Sequence, residues 1–293
     1  MTTLESEQQE RYESFYQGST GHAVILLPGL CGSELEMGAI PRLIKQSGHT
    51  IAIPLIPGYS AHSRVADYSE WIESVDVLAL NLLKTHSSIS LVGLSMGATL
   101  ALAVAQRNQS IQSLVLLAPV LAFDGWAVPW YHPLLSVAYK IGFRNWYYKE
   151  SAPYGVKNLE LRRRIERAVK ENKVSELGAA HLPAKHLYQS LRLVDETKKN
   201  LSAVVSDLLI IHSIDDETAS PKNPDMILEN ASSETKRIIW LSNCYHMITV
   251  DNEREIVVNE TNNFINQILD KFLSQKSHVI ENIGLVIKNR NRD

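Results

Sequence analysis

The run Ile89-Ser90-Leu91-Val92-Gly93-Leu94-Ser95-Met96-Gly97-Ala98-Thr99-Leu100-Ala101-Leu102-Ala103-Val104-Ala105 decides the fold. Its first four residues have the β-branched and leucine character of a buried strand. From Ala98 to Ala105 helix formers are packed too densely for an exposed face. The chain must therefore turn sharply from strand to helix at Ser95. The glycines at 93 and 97 fit that turn, because side chains there would collide where the helix folds back over the strand. The serine hydroxyl stands at the positive end of the helix dipole, so Ser95 reads as a nucleophile.

The flanking sequence repeats the alternation. Ala23-Val24-Ile25-Leu26-Leu27 is apolar on both faces, the mark of a central strand, and it stops at Pro28-Gly29-Leu30-Cys31-Gly32-Ser33. Ser14 to Val24 reads as an edge hairpin turning near Gly18 and Gly21. A short helix is expected from Met37 to Ser47, a strand at 50–54, and an amphipathic helix from Asp67 to Thr85. Strand 113–119 follows the elbow helix. Asp207 to His212 and Arg237 to Leu241 are further strands, with a helix over 224–230 between them and a closing helix from about Glu253 to Leu273. The predicted class is α/β, with a mostly parallel, doubly wound sheet.

The texture changes after Pro119. Phe123 to Tyr154 holds ten of the twenty-one aromatic residues, and two helical stretches follow, Asn158 to Val174 and one from Pro183. Residues 122–202 are therefore expected to be a helical insertion into a core formed by 1–121 and 203–273, with Arg162-Arg163-Arg164 on a solvated helix face. The segment 274–293 reads as a tail that docks, pairs with a neighbour or frays.

Composition narrows the classes of function. Of 293 residues, 45% are hydrophobic and 21% charged, which is ordinary for a globular protein. A net charge of -3 offers no attraction to phosphate backbones, so nucleic acid is not an expected partner. Met1 to Glu10 is acidic and polar, unlike a signal or transit peptide, and no apolar run reaches membrane-spanning length. Cys31 and Cys244 cannot build a disulfide framework and suit a reducing compartment, so the expected location is cytoplasmic. Self-association is left open.

A serine needs a base to take its proton and a carboxylate to orient that base. On this architecture the order along the chain is nucleophile, acid, histidine. Only His246 and His278 of the ten histidines follow the acidic pair Asp215-Asp216, and His278 lies in the tail, which leaves His246 as the base. The strand end does not separate Asp215 from Asp216. Two backbone N–H groups should receive the oxyanion: Met96 on the elbow, and Leu30, which Pro28-Gly29 lets approach closely.

With these residues assembled, the chain resembles the α/β-hydrolase superfamily, and within it the bacterial carboxylesterase and monoacylglycerol lipase group, over roughly residues 14–273. The stretches carrying the resemblance are Val24 to Ser33, Pro54 to Tyr59, Leu91 to Gly97, Ile210 to Ser220 and Tyr245 to Thr249. In the acid loop the family aspartate lies three positions after a residue that is usually glycine, here Ser213, which implies Asp216. The family also implies a cap at 122–202 that covers the site and shapes the acyl pocket. Three departures stand out: the loop opens Pro28-Gly29 rather than His-Gly, a histidine common at Tyr59 is missing, and Ala98 replaces a frequent glycine.

The expected activity is that of a serine hydrolase of the carboxylesterase or lipase type. It cleaves carboxylic esters with an apolar acyl or alcohol part, such as monoacylglycerols, through an acyl-enzyme formed on Ser95, without cofactor or metal. The same triad also serves acyl transfer, aminopeptidase and carbon–carbon bond hydrolysis. A ligand receptor that keeps the hydrolase fold is the alternative from another class.

Overall fold

The computed structural model describes residues 12–61, 63–129, 132–149, 152–170 and 181–290. Seven strands form the main sheet: β1 (Tyr12–Tyr16), β2 (His22–Leu27), β3 (Thr50–Pro54), β4 (Ser88–Leu94), β5 (Ser113–Leu117), β8 (Asp207–Ser213) and β9 (Lys236–Leu241). Their order is β1-β3-β2-β4-β5-β8-β9, parallel throughout except where β1 joins β3. The helices are α1 (Ile40–Gln46), α2 (Tyr68–Leu83), α3 (Met96–Arg107), α4 (His132–Lys140), α5 (Leu159–Lys170), α6 (Ala184–Lys199), α7 (Lys222–Asn230) and α8 (Arg254–Arg290). Two short strands, β6 (Tyr147–Lys149) and β7 (His181–Pro183), pair antiparallel as a separate sheet.

Strand alternation explains the two-layered core. Ala23, Ile25, Leu27, Ile89, Leu91, Leu114, Leu116, Leu208 and Ile210 face one side, where α2 and α3 supply Trp71, Val75, Leu100 and Val104. Val24, Leu26, Val92, Leu94, Val115, Leu117, Leu209 and Ile211 face the other, against α1 and the start of α8. Because both faces are covered, the central strands read as unbroken apolar runs. Helix α2 starts where the sequence signals it: Asp67 accepts from the Ser69 N–H, and Glu70 reaches back to the Asp67 N–H. Sequence order reverses on either side of β2, and the crevice beyond the carboxyl ends of β2 and β4 is where such sheets place their sites.

Several expectations need correction. The residues read as an edge hairpin do not pair with each other. Strand β1 runs antiparallel to β3, because parallel neighbours already occupy both edges of β2. The chain passes from β1 to β2 at Gly18, where a Cβ would run into the Gly48–Thr50 backbone. The single helix expected from Met37 is a 3-10 turn, Glu34–Met37, followed by α1. Gly38, at φ 57, separates them, and Pro41 sits in the first turn of α1. The closing helix does not stop at Leu273; it runs to Arg290, across a segment with no proline to break it. Residues 171–180, part of the expected Asn158–Val174 helix, lie outside the described residues, as do 291–293.

The stretch between β5 and β8 also contains more than helices. It holds α4, α5 and α6 together with the β6–β7 pair. Its entrance is tied to the core: the N–H groups of Leu121 and Ala122 both donate to Asn223 Oδ1, at 2.7 and 2.6 Å. Arg163 and Arg164 are exposed as expected, but Arg162 is half-buried and donates to the Val156 carbonyl at 2.6 Å through Nη2. Among the described residues no helix is long and apolar enough to cross a membrane.

At the opposite end of the sheet from Ser95, β2 begins in a buried polar network. His22 lies between two hydroxyls, with Nδ1 2.7 Å from Ser88 Oγ and Nε2 3.0 Å from Ser90 Oγ. Its ring meets that of His49 edge-on, with centroids 5.2 Å apart. Burial, and then the neighbouring His49 and His86, depress the His22 pKa from 6.5 to about 3. Between those values the unfolded chain takes up a proton that the folded chain refuses. The His22 contribution is therefore intact above pH 6.5 and is lost as the pH falls, by about 1.4 kcal/mol per unit, down to about pH 3. Urea midpoints recorded between pH 7.5 and 4 should decline on acidification, and His22→Gln should flatten part of that slope. An unchanged slope would remove His22 as a cause.

Candidate active site

Four strand ends build the site. After β4 the backbone turns at Ser95 with φ 56 and ψ -118, and helix α3 begins at the next residue. A non-glycine residue in this conformation is strained, and the surroundings hold it there. The Ser95 N–H donates to the Leu117 carbonyl of β5 at 2.8 Å. The two elbow glycines are required by contact: a Cβ on Gly93 would overlap the Gly97 carbonyl, and one on Gly97 would overlap the carbonyl oxygen of Leu27. Met96 is the first residue of α3, so its N–H has no partner within the helix.

The loop after β2 passes beside Ser95, where an ideal Cβ on Gly29 would lie 3.8 Å from the Ser95 Cβ. Leu30 and Met96 both line the cavity that Ser95 opens into. Two side chains brace this loop. The Tyr59 hydroxyl donates to the Pro28 carbonyl at 3.2 Å, and the Gly29 N–H donates to Glu36 Oε2 at 3.0 Å. Two of the departures from the family pattern thus meet in one hydrogen bond, since Tyr59 holds Pro28.

His246 and Asp216 complete the arrangement. His246 Nε2 lies 2.8 Å from Ser95 Oγ, and Nδ1 lies 2.8 Å from Asp216 Oδ2. With Nδ1 protonated and bonded to the carboxylate, the free pair on Nε2 points at the hydroxyl. Asp216 also accepts the N–H groups of Thr218 and Ala219, each at 2.8 Å, through Oδ1. Burial pushes its pKa up, but His246, His212 and the Ala219 N–H outweigh burial and hold the carboxyl below its ordinary value. Asp215 points away: its carboxylate pairs with Lys157 Nζ at 2.6 Å. The structure therefore brings Ser95, His246 and Asp216 together and leaves Asp215 outside. Residue 278 has backbone in α8, and its side chain is not among those described.

Sequence reasoning missed several supporting residues. Glu217 is buried, and its Oε2 accepts the His246 N–H at 3.0 Å. Burial, which dominates over the nearby His246, raises its pKa. Asp251, fully buried, accepts the N–H groups of Lys157, Asn158 and Tyr245 at 2.7, 2.8 and 2.9 Å. The Met247 N–H donates to the Gly155 carbonyl at 2.8 Å, so the 155–158 segment is fastened to the loop that carries His246. Charge in otherwise apolar or turn sequence is the only signal that marks Glu36 and Asp251. Neither cysteine forms a disulfide. Cys244 is fully buried and accepts the Glu253 N–H, and burial pushes its pKa up to about 12, which keeps it an unreactive thiol.

The cavity, of about 170 Å³, is walled by Phe123, Val128, Tyr148, Leu182, Leu187 and Met247, with Ser95 and His246 at its base. Strand β6 turns Tyr148 toward it and leaves Tyr147 exposed. An elbow serine, a histidine after the last strand and an aspartate after the one before it, on this sheet, define the α/β-hydrolase class.

The model of the serine aminopeptidase S33 family matches residues 46–254, and the chain belongs to that family. It is 26% identical over 255 residues, covering 86% of this chain and 93% of the relative, to the thermostable monoacylglycerol lipase of Bacillus sp. (strain H-257). It is 22% identical over 252 residues, 84% of this chain and 93% of the relative, to a carboxylesterase of Bacillus subtilis (strain 168). Among solved structures, the monoacylglycerol lipase of Paleococcus ferrophilus matches with a TM-score of 0.71 at 17% identity, over 89% of this chain and 98% of that one.

Gly97 gives the direct test of the elbow. The atoms its Cβ would strike are backbone and cannot move aside cheaply, so Gly97→Ala should destabilise the protein by about 1–3 kcal/mol or more in urea unfolding. Gly142, whose Cβ would meet nothing within 4 Å, is the comparison site. It has positive φ, so Gly142→Asn, which tolerates that conformation, should cost little. Equal losses at both positions would refute the close-approach account.

Proposed function

We propose that this protein is a serine hydrolase that cleaves carboxylic esters with an apolar acyl or alcohol part, through an acyl-enzyme intermediate. The observation that carries the reading is the unbroken chain Ser95 Oγ, His246 Nε2, His246 Nδ1, Asp216 Oδ2, each contact 2.8 Å, at the base of an apolar cavity. The relatives named monoacylglycerol lipase and carboxylesterase support it.

In this mechanism Ser95 Oγ attacks the ester carbonyl carbon while His246 Nε2 takes the hydroxyl proton. Asp216 keeps Nδ1 protonated and stabilises the imidazolium that forms. The negative oxygen of the tetrahedral intermediate is received by the N–H groups of Leu30 and Met96. Collapse breaks the bond to the alcohol, which leaves with the proton from His246. Water, deprotonated by His246, then attacks the acyl-enzyme and releases the acid and free Ser95. Residues 122–202 act as a cap whose inner wall, including Phe123, Tyr148 and Leu187, contacts the acyl or alcohol part.

Ser95→Ala should abolish turnover of p-nitrophenyl esters and labelling by a fluorophosphonate probe while far-UV circular dichroism stays unchanged. An active, folded Ser95→Ala protein would sink the proposal. Asp216→Asn should lower kcat by about 10²-fold or more. Asp215→Asn, which breaks only a partly exposed pair with Lys157, should stay within about threefold of wild type in kcat/KM. The reverse ranking would place the acid at 215. Esters should be cleaved in preference to matched aminoacyl amides; the opposite preference would favour an aminopeptidase.

A further inference from the structure

Two side chains of the cavity wall are not used by the mechanism above, and both are acidic. Glu36 and Glu217 line the cavity with Ser95 and His246, and each is only 5% exposed. Among the described lining residues there is no lysine or arginine to offset them. Their fixed partners are backbone donors: the Gly29 N–H for Glu36 and the His246 N–H for Glu217. They approach from opposite sides, one from the loop after β2 and the other from the loop after β8.

An N–H partner holds a carboxylate in place without cancelling its charge. Groups shielded from water are also poorly screened by salt. The interior next to the scissile bond is therefore a place where a negative group meets like charge at short range. In a medium of effective dielectric near 20, one such pair at several ångström alters binding by roughly ten- to a hundredfold.

We propose that Glu36 and Glu217 are specificity-determining residues that give the pocket a negative interior, so that it takes neutral esters, tolerates a cationic group and rejects esters bearing an anionic one. This rests on the ester-hydrolase reading of Ser95. The substrate class is thereby limited to esters uncharged or positively charged near the reacting carbonyl. Esters carrying a phosphate or a second carboxylate at that depth are excluded. The carboxylic acid product ionises inside the same field and is driven out by it.

The test uses three p-nitrophenyl esters of similar length, measured at pH 8.5: hexanoate, the monoester of adipic acid, and 5-(trimethylammonio)pentanoate. A wall that merely resists desolvation penalises both ions alike, whereas a negative interior penalises only the adipate. The readout is the ratio of kcat/KM for the cationic ester to that for the anionic one, expected to be at least about tenfold. The ratio should hold between 50 and 500 mM NaCl, because surface charge is screened over that range and the buried pair is not.

Glu36→Gln and Glu217→Gln each keep an oxygen for the same N–H donor and remove the charge, and each should lower the ratio several-fold. Because the readout is a ratio, a loss common to all three esters cancels, and if one variant fails to fold the other still decides. A ratio near one in the wild type, collapse of the ratio in high salt, or an unchanged ratio in the folded variants would overturn the proposal. Binding of the same three esters to Ser95→Ala, followed by calorimetry, reads the pocket without turnover. If no ester is hydrolysed, the ester-hydrolase reading falls, and this binding order still decides the charge preference.

Discussion

The architecture depends on how closely helix α3 passes the end of strand β2. Gly97 has no side chain, so the helix can lie against the Leu27 and Pro28 carbonyls, and Gly93 lets the strand lie against Gly97 in turn. That proximity sets the distance between the elbow and the loop after β2. A hydroxyl on one element and an N–H on the other can then face the same small volume. Strand β5 fixes the third side by accepting the Ser95 N–H through Leu117. The strain at Ser95 persists because the sheet and the helix, both buried, leave the backbone no other path.

Around this point the polar groups divide the work. The Asp216 carboxylate is held by two backbone N–H groups and the imidazole, so its geometry is fixed before any substrate arrives. The His246 main chain is held separately, by Glu217 at its own N–H and by Asp251 at Tyr245. Anchoring ring and backbone through different carboxylates leaves little freedom in the angle at which Nε2 meets Ser95. Preorganisation of this kind matters because donors already aimed at a developing charge need not reorient during the reaction.

The sequence made the central elements legible because burial on both faces leaves a strong signal: β2, β4, β5 and β8, and helix α3, are nearly uniform runs of apolar residues. Ser95 and His246 were legible for a related reason, since each follows directly on such a run. Asp216 was not separable from Asp215 by pattern alone; resemblance pointed to it, and the hydrogen bonds distinguish the two. The β1 pairing was hidden because strand order is a property of the whole sheet, and nothing local to Tyr12–Tyr16 states that both edges of β2 are taken. The β6–β7 pair was hidden because three-residue strands carry no usable period. Glu36, Glu217 and Asp251 were hidden because their partners are backbone N–H groups, which leave no trace in residue type.

The fastening of residues 155–158 to the loop that carries His246 bears on how this chain can diversify. Asp251 and Gly155 pin one part of the segment between β5 and β8, while Asn223 pins its entrance. Between those clamps run α4 and β6, where Leu134, Ile141 and Phe143 stand in solvent and contribute little to the core. Insertions, deletions and drift can accumulate in that interval while the histidine keeps its aim. The molecule thus separates a stretch free to explore new substrates from the frame that performs the chemistry, and the boundary between the two is drawn by a handful of backbone hydrogen bonds.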